Sequence, residues 1–139
     1  MEVRIKYGLL SPIADFLFGM TLKGKQSRHR TRFIKKLENK LKEVQLEERE
    51  IRKQHCNLDE SGEPKTIKVS DEQFVLDVKD IEAFTKDQSE LYGEEYVIDD
   101  SDSQIVLETL KTILDEYHEA LSGEKANVYD YLCDQFEID

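Results

Sequence analysis

The chain of 139 residues contains no run of about 18 apolar residues, the length a membrane-crossing helix requires. Its most apolar stretch, Leu9 to Met20, is interrupted by Ser11, Pro12, Asp15 and Gly19, which excludes a helical span. That stretch follows Glu2, Arg4 and Lys6 and lacks a small-residue cleavage site, so it does not read as a signal peptide, and the protein is expected to stay in the cytosol where it is made. Cysteine is scarce. Cys56 and Cys133 lie far apart with no C-x-x-C spacing, and they are expected to be free thiols, part of neither a disulfide nor a zinc site. Internal repeats and low-complexity tracts are missing too. Hydrophobic residues reach only 38% and charged residues 37%, against about 45–50% and about 25% in average globular proteins. The core must be thin and the surface densely charged, which favours an elongated helical protein. The length suits one domain over residues 1–139 and is too short for two full cores.

The formal charge of −11 is unevenly laid out. Residues 1–58 carry 14 Lys/Arg against 7 Asp/Glu, and residues 59–139 carry 6 against 24, so the two parts stand at +7 and −18. From Lys23 to Lys42 nine basic residues face only Glu38. A helix of this composition can track a phosphate backbone, or it can be neutralised by the acidic part of the same chain or of a second subunit. The summed negative charge repels a polyanion, and aromatic residues are not interleaved with the basic ones, so neutralisation is the expected role and nucleic acid the lesser alternative.

Hydropathy period and turn residues predict an α+β fold, mainly α, in which a long helix packs with C-terminal helices beside a small antiparallel sheet. Val3-Arg4-Ile5-Lys6-Tyr7 alternates as a strand. Ser11-Pro12 reads as the N-cap and first position of a short helix with Ile13, Phe16, Leu17 and Met20 on one face. A second helix is expected from about Lys25 to Asn57, roughly 50 Å long at 1.5 Å per residue. Its seam runs through Ile34, Leu37, Leu41, Val44, Glu48, Ile51, His55 and Leu58, a heptad spacing with two polar interruptions before its last position. A partner for that length must come from the C-terminal helices or from a second copy.

The Leu58–Lys65 turn, with Gly62 and Pro64, ends the long helix. Thr66–Val69 and Gln73–Leu76 predict a hairpin, with Tyr96-Val97-Ile98 as a possible third strand. Asp77 is placed to cap a helix carrying Val78, Ile81, Phe84, Gln88 and Leu91 and ending at Gly93. Ser101 and Gln104 have capping-box spacing before a helix with Val106, Leu110, Ile113, Leu114, Tyr117 and Leu121 on one side. Ser122-Gly123 breaks it, and a last helix presents Ala126, Tyr129, Leu132, Cys133 and Phe136 for burial.

The three histidines are where general acid–base chemistry would show in this sequence. His29, between Arg28 and Arg30, reads as an exposed member of the basic face; His55 reads as a partly buried seam residue; His118 reads as a helix-end residue. Asp115 with His118 and Glu119 has helical spacing for a divalent ion, but a chain with 31 acidic residues produces such pairs by chance, and the E-x-x-H motif of di-iron bundles is missing. The acidic run from Glu94 to Asp102 lacks the spacing and glycine of an EF-hand loop. Gly24-Lys25-Gln26-Ser27 lacks the upstream glycine and strand of a P-loop. These readings point to a non-enzyme with no cofactor, no metal and no membrane association.

The segment Leu22-Lys23-Gly24-Lys25-Gln26-Ser27-Arg28-His29-Arg30-Thr31-Arg32, running into Phe33–Leu37, resembles the signature region of an uncharacterised protein family of bacteriophages and prophages of Gram-positive bacteria. The turn Leu58–Pro64 and the ending Leu121–Leu132 are similar to that family in the same order, and residues 66–100 are the least similar part. The family has no assigned activity, so the resemblance carries no catalytic residue to this chain. It implies a phage protein in the host bacterial cytoplasm that acts by binding another protein, either a host factor or a virion component. The leading expectation is an inhibitor or modulator of a host nucleic-acid-handling or defence enzyme, DNA-mimicking or anti-CRISPR-like, with the carboxylates Glu94, Glu95, Asp99, Asp100 and Asp102 as its partner-binding face. The alternatives are a virion or assembly accessory protein associating through its long helix, including as a homo-oligomer, and nucleic-acid binding through Lys25, Arg28, Arg30, Arg32, Lys35 and Lys36.

Overall fold

Alternation at the start of the chain builds β1 (Val3–Lys6) in the computed structural model, which describes residues 1–139: Val3 and Ile5 are fully buried while Arg4 and Lys6 face solvent. A single 3-10 turn, Tyr7–Leu9, feeds α1 (Leu10–Phe18). Ser11 is therefore inside the helix and not its N-cap. Leu9 takes the cap position with no side-chain bond, and Pro12 is accommodated because the first-turn N–H groups have no intrahelical acceptor. Leu10, Ile13 and Leu17 point into the core, whereas Met20 lies beyond the helix end and is half-buried.

Gly24, at φ +52°, turns the chain into α2 (Gly24–His55), close to the expected bounds and about 48 Å long at 1.5 Å per residue. Its buried side is His29, Phe33, Ile34, Leu37 and Val44, flanked by the partly buried Leu41 and Ile51. The cover comes from the same chain: α1 and two later helices, α3 (Ile81–Gly93) and α4 (Gln104–Glu116), lie along it. The apolar seam is thus not left open for a second copy. Its polar interruptions are used inside the fold. The Glu48 carboxylate accepts a bond from the Tyr92 hydroxyl at 3.2 Å and faces Arg52 at 3.8 Å, and the partly buried His55 meets Asp87 through Nε2 at 3.0 Å. Leu58 is exposed because the chain leaves the helix at Cys56.

The expected hairpin forms between β2 (Thr66–Ser70) and β3 (Gln73–Leu76), with Ile67 opposite Val75. The third strand does not join it. β4 (Glu95–Ile98) pairs antiparallel with β1 instead, placing Val3 opposite Ile98 and Ile5 opposite Tyr96, so there are two separate two-stranded sheets. The physical reason is burial: Ile98 has a core face to share with Val3 and Ile5, and the hairpin offers no covered face.

Besides the start of α1, three helix ends depart from the sequence pattern. Asp80, not Asp77, caps α3, its carboxylate accepting from the Glu82 and Ala83 amides at 3.1 and 3.2 Å, while Asp77 accepts from the Asn57 side chain. Ile81 is consequently an exposed first-turn residue. The Ser101/Gln104 capping box does not form, since residues 101–103 make a 3-10 turn and the Gln104 amide donates to the Met1, Asp99 and Asp100 carbonyls. Finally, α4 stops at Glu116, short of Tyr117 and Leu121: the Leu114 carbonyl accepts from the Tyr117 amide at 3.3 Å in a tightened last turn and from the Tyr129 hydroxyl at 2.8 Å. A last helix, α5 (Gly123–Gln135), buries Val128 and Leu132, and Phe136 just beyond it packs edge-on against Phe33 with ring centres 6.1 Å apart.

Candidate partner-binding faces

The basic residues of α2 separate into two groups. Lys25, Arg28, Arg32 and Lys35 recur every three or four residues and are exposed on one side of the helix, with Lys36 half-exposed beside them. The ion pairs of the chain join Arg4 to Glu2 and Glu95, Lys40 to Glu43, Arg49 to Glu63, Arg52 to Glu48 and Lys68 to Asp71, and the His55 imidazole lies against Asp87. None includes these five cations, so the acidic part of the chain does not neutralise them by contact. The charge of Lys36 nevertheless acts on Asp100 and helps hold its carboxyl in the ionised form.

Arg30 and His29 do not belong to the exposed face. The Arg30 guanidinium turns inward and donates to the carbonyls of Leu17 and Met20 at 2.9 and 2.6 Å, satisfying acceptors at the C-terminal end of α1. His29 is buried against α4, its Nδ1 2.7 Å from the Thr109 hydroxyl. That hydroxyl also lies 3.0 Å from the Ile105 carbonyl, so Thr109 ties the imidazole to the backbone of α4. Burial lowers the His29 pKa, and Arg32, Lys25 and Arg28 lower it further, which keeps the ring neutral. The sequence concealed this because both flanking residues are arginines. Its clue is spacing: His29 falls four residues before Phe33 on the buried side of the helix.

The acidic candidates are also divided. Glu94 and Glu95 sit at one end of β4, and Asp99, Asp100 and Asp102 sit beyond the other, about 13 Å away at 3.3 Å per residue. Glu95 lies 3.7 Å from Arg4. The Ser103 hydroxyl donates to both Asp100 oxygens, at 2.8 and 2.9 Å, and this bond holds the Asp100 carboxyl below the usual range. The Asp100 carboxylate is thereby tied to the 101–103 turn as well as being a surface charge.

Glu94 belongs to a feature that the sequence reading missed. Between α2 and α3 runs a groove of about 290 Å³ whose walls are Glu47 and Glu50 on one helix and Asp87, Glu90 and Glu94 around the other, with Ile51 and Leu91 at its base. The spacings, three on α2 and three then four on α3, were visible as helical stripes. Their juxtaposition depends on how α3 packs, which the stripes do not reveal.

A larger cleft of about 900 Å³ opens between the end of α1, the α4–α5 connection and the start of α5, over Phe16, Ile113 and Val128 and beside Asp15, Glu116, Glu119 and Lys125. Nucleophile chemistry finds little support elsewhere. Burial pushes the thiols of Cys56 and Cys133 up, away from the reactive thiolate, and pushes the Tyr129 phenol up to about 12. No helix is long and apolar enough to cross a membrane. No protein-family model, curated protein or solved structure matches this chain.

Proposed function

We propose that the protein is a phage-encoded, non-enzymatic binding module that modulates a host nucleic-acid-handling or defence enzyme by presenting carboxylates to a basic surface normally occupied by phosphates. The observation that carries this reading is the groove in which Glu47, Glu50, Asp87, Glu90 and Glu94 converge from two helices. Two rows of like charge offer a cationic channel Coulomb attraction along their length. The test is retention of host proteins on the immobilised chain at about 50 mM and about 500 mM salt, where surface electrostatics are strong and then screened. A basic nucleic-acid-binding protein held at low salt by the wild type and released by the double variant Glu47→Lys/Glu90→Lys is expected. An empty eluate at low salt, or the same protein held equally by the variant, ends this reading.

A second reading is favoured by the ion-pair-free stripe Lys25, Arg28, Arg32, Lys35 and Lys36, which could track a nucleic-acid backbone. Labelled single- and double-stranded DNA titrated at about 50 and about 200 mM salt decides it, because a site making several phosphate contacts weakens steeply between the two. Absence of binding at the lower salt removes it. The virion-accessory alternative can no longer rest on an open helical seam, since α1, α3 and α4 cover that seam; it would require other surfaces, and mass spectrometry of purified particles tests it.

A further inference from the structure

Two charged surfaces of opposite sign lie toward the two ends of α2. The stripe Lys25, Arg28, Arg32, Lys35 and Lys36 enters no ion pair, although Lys36 feels the carboxylate of Asp100. Glu38, the one acid between Lys23 and Lys42, stands about 120° round the helix from Arg32 at about 100° per residue. The α2–α3 groove is the converse, since its lining includes carboxylates and no cation. Asp87 is held by His55, but Glu47, Glu50, Glu90 and Glu94 enter no ion pair. The nearest cations along the two helices do not line the groove. Arg49 and Lys53 stand about 100° and about 60° round α2 from Glu50, with Arg49 taken by Glu63, and Lys86, a turn before Glu90 on α3, pairs with nothing.

Helical geometry puts the stripe and the near wall of the groove on one side of α2. Glu50 is about 40° round the helix from Arg28 and Glu47 about 60° from Arg32, about 33 and about 22 Å away along the axis. That side is open to solvent along its length, at Arg28, Arg32, Asn39, Leu46, Glu47 and Glu50. Leu46, 65% exposed, is a large apolar side chain left uncovered there.

We propose that this side of α2 is the docking surface for a second copy of the chain, the two α2 helices lying antiparallel about a two-fold axis near Asn39, with the stripe of each copy seated on the groove of the other. Antiparallel pairing sets Arg32 opposite the second copy's Glu47 and Arg28 opposite its Glu50, and the two-fold repeats both contacts. One axis serves both, because the two pairs are centred on the same turn of the helix. Parallel pairing would instead set stripe on stripe and groove on groove. Glu90 and Glu94 add a second row of carboxylates beside the seated stripe, uncharged Asn39 meets itself at the axis, and the methylene stems of the second copy's Arg32 and Lys35 cover Leu46. The contact is isologous and closes at two chains. Each copy carries −11 overall, but the Debye length of about 8 Å at 0.15 M screens the distant carboxylates and leaves the facing charges dominant. The inference does not rest on the host-protein reading; a basic host surface would compete with the second copy for the same groove.

Sedimentation velocity of the purified chain from about 5 to about 500 µM at about 150 mM salt tests the proposal, since association follows concentration by mass action. The wild type is expected to pass from monomer to dimer across this range, and the dimer to weaken at about 1 M salt, where the Debye length is about 3 Å. Arg32→Glu brings carboxylate against carboxylate and Glu47→Arg brings guanidinium against guanidinium, and each should weaken the dimer at least about tenfold. The variant carrying both changes restores it. An equimolar mixture of the two single variants also restores it, because the acid stripe position of one then faces the basic groove position of the other; a folding defect in either variant cannot produce that rescue. A wild type that stays monomeric throughout, a dimer equally tight at both salts, or a mixture that associates no better than either variant alone overturns the proposal.

Discussion

His29 links the charge pattern of the sequence to stability. Its folded-state pKa lies below the ordinary 6.5, so the unfolded chain binds the proton more readily than the folded one. The contribution is fully present above pH 6.5 and is lost as the pH falls from there through the folded-state pKa. Urea unfolding at pH 8 and pH 5 should therefore show a drop in stability at pH 5, and His29→Asn, which keeps a polar side chain without a titrating ring, should reduce that drop. Arg30 makes a different prediction. Its two charge-assisted bonds to the Leu17 and Met20 carbonyls leave bare acceptors behind if the side chain is removed, so Arg30→Ala should cost about 1–3 kcal/mol, whereas exposed Arg28→Ala should stay within about 0.5 kcal/mol. Calorimetric melting of the two variants checks this contrast, which a shared solvated face would not produce.

Among the elements, α2 carries most of the architecture, because its buried stripe is the surface on which α1, α3 and α4 converge. Leu37 is wholly enclosed there, and Leu37→Ala should destabilise the fold by about 2–5 kcal/mol through lost transfer energy and a residual cavity. Leu41 is only partly enclosed, so Leu41→Ala should fall at or below the lower end of that range; equilibrium denaturation of both variants compares them. Glu48 accepts from Tyr92 and faces Arg52, and its replacement by Leu removes a polar contact inside the monomer instead of retuning a seam between chains. The α2 bounds were legible because a 32-residue helix presents many turns of pattern between strong stops, Gly24 and the 58–65 turn. The shorter helices were read less well at their ends. The ends of α4 meet tertiary bonds, Tyr129 to Leu114 and Gln104 to Met1, whose partners lie outside the helix, whereas α3 is capped locally by Asp80.

At the scale of the whole molecule, charge is sorted by surface. One side of α2 keeps a basic stripe without ion pairs, and the α2–α3 groove is lined by five carboxylates. Crowded like charges destabilise the folded state at low ionic strength and are screened as the Debye length falls to about 8 Å near 0.15 M. Glu90→Gln should therefore raise the melting temperature at about 10 mM salt and lose most of that gain at about 150 mM. Calorimetry across that salt range measures it. An equal gain at both salts would mean that Glu90 acts through packing and not through the field of the groove.

Composition and period were enough to establish a mainly helical α+β chain, the long helix and the hairpin, because local repetition of apolar residues and turn chemistry act over a few residues. They also revealed the unequal charge of the two parts. They did not reveal that β4 would join β1, that His29 and Arg30 would turn away from the basic stripe, or that Glu47 and Glu50 would face Asp87, Glu90 and Glu94. Each of these depends on burial shared between segments distant in the chain. Ile98 has a covered face only where Val3 and Ile5 lie, and His29 finds Thr109 eighty residues away only after α4 has packed on α2. A helical stripe specifies which side chains share a face, but the element packed against it decides whether that face is core, cap or open surface.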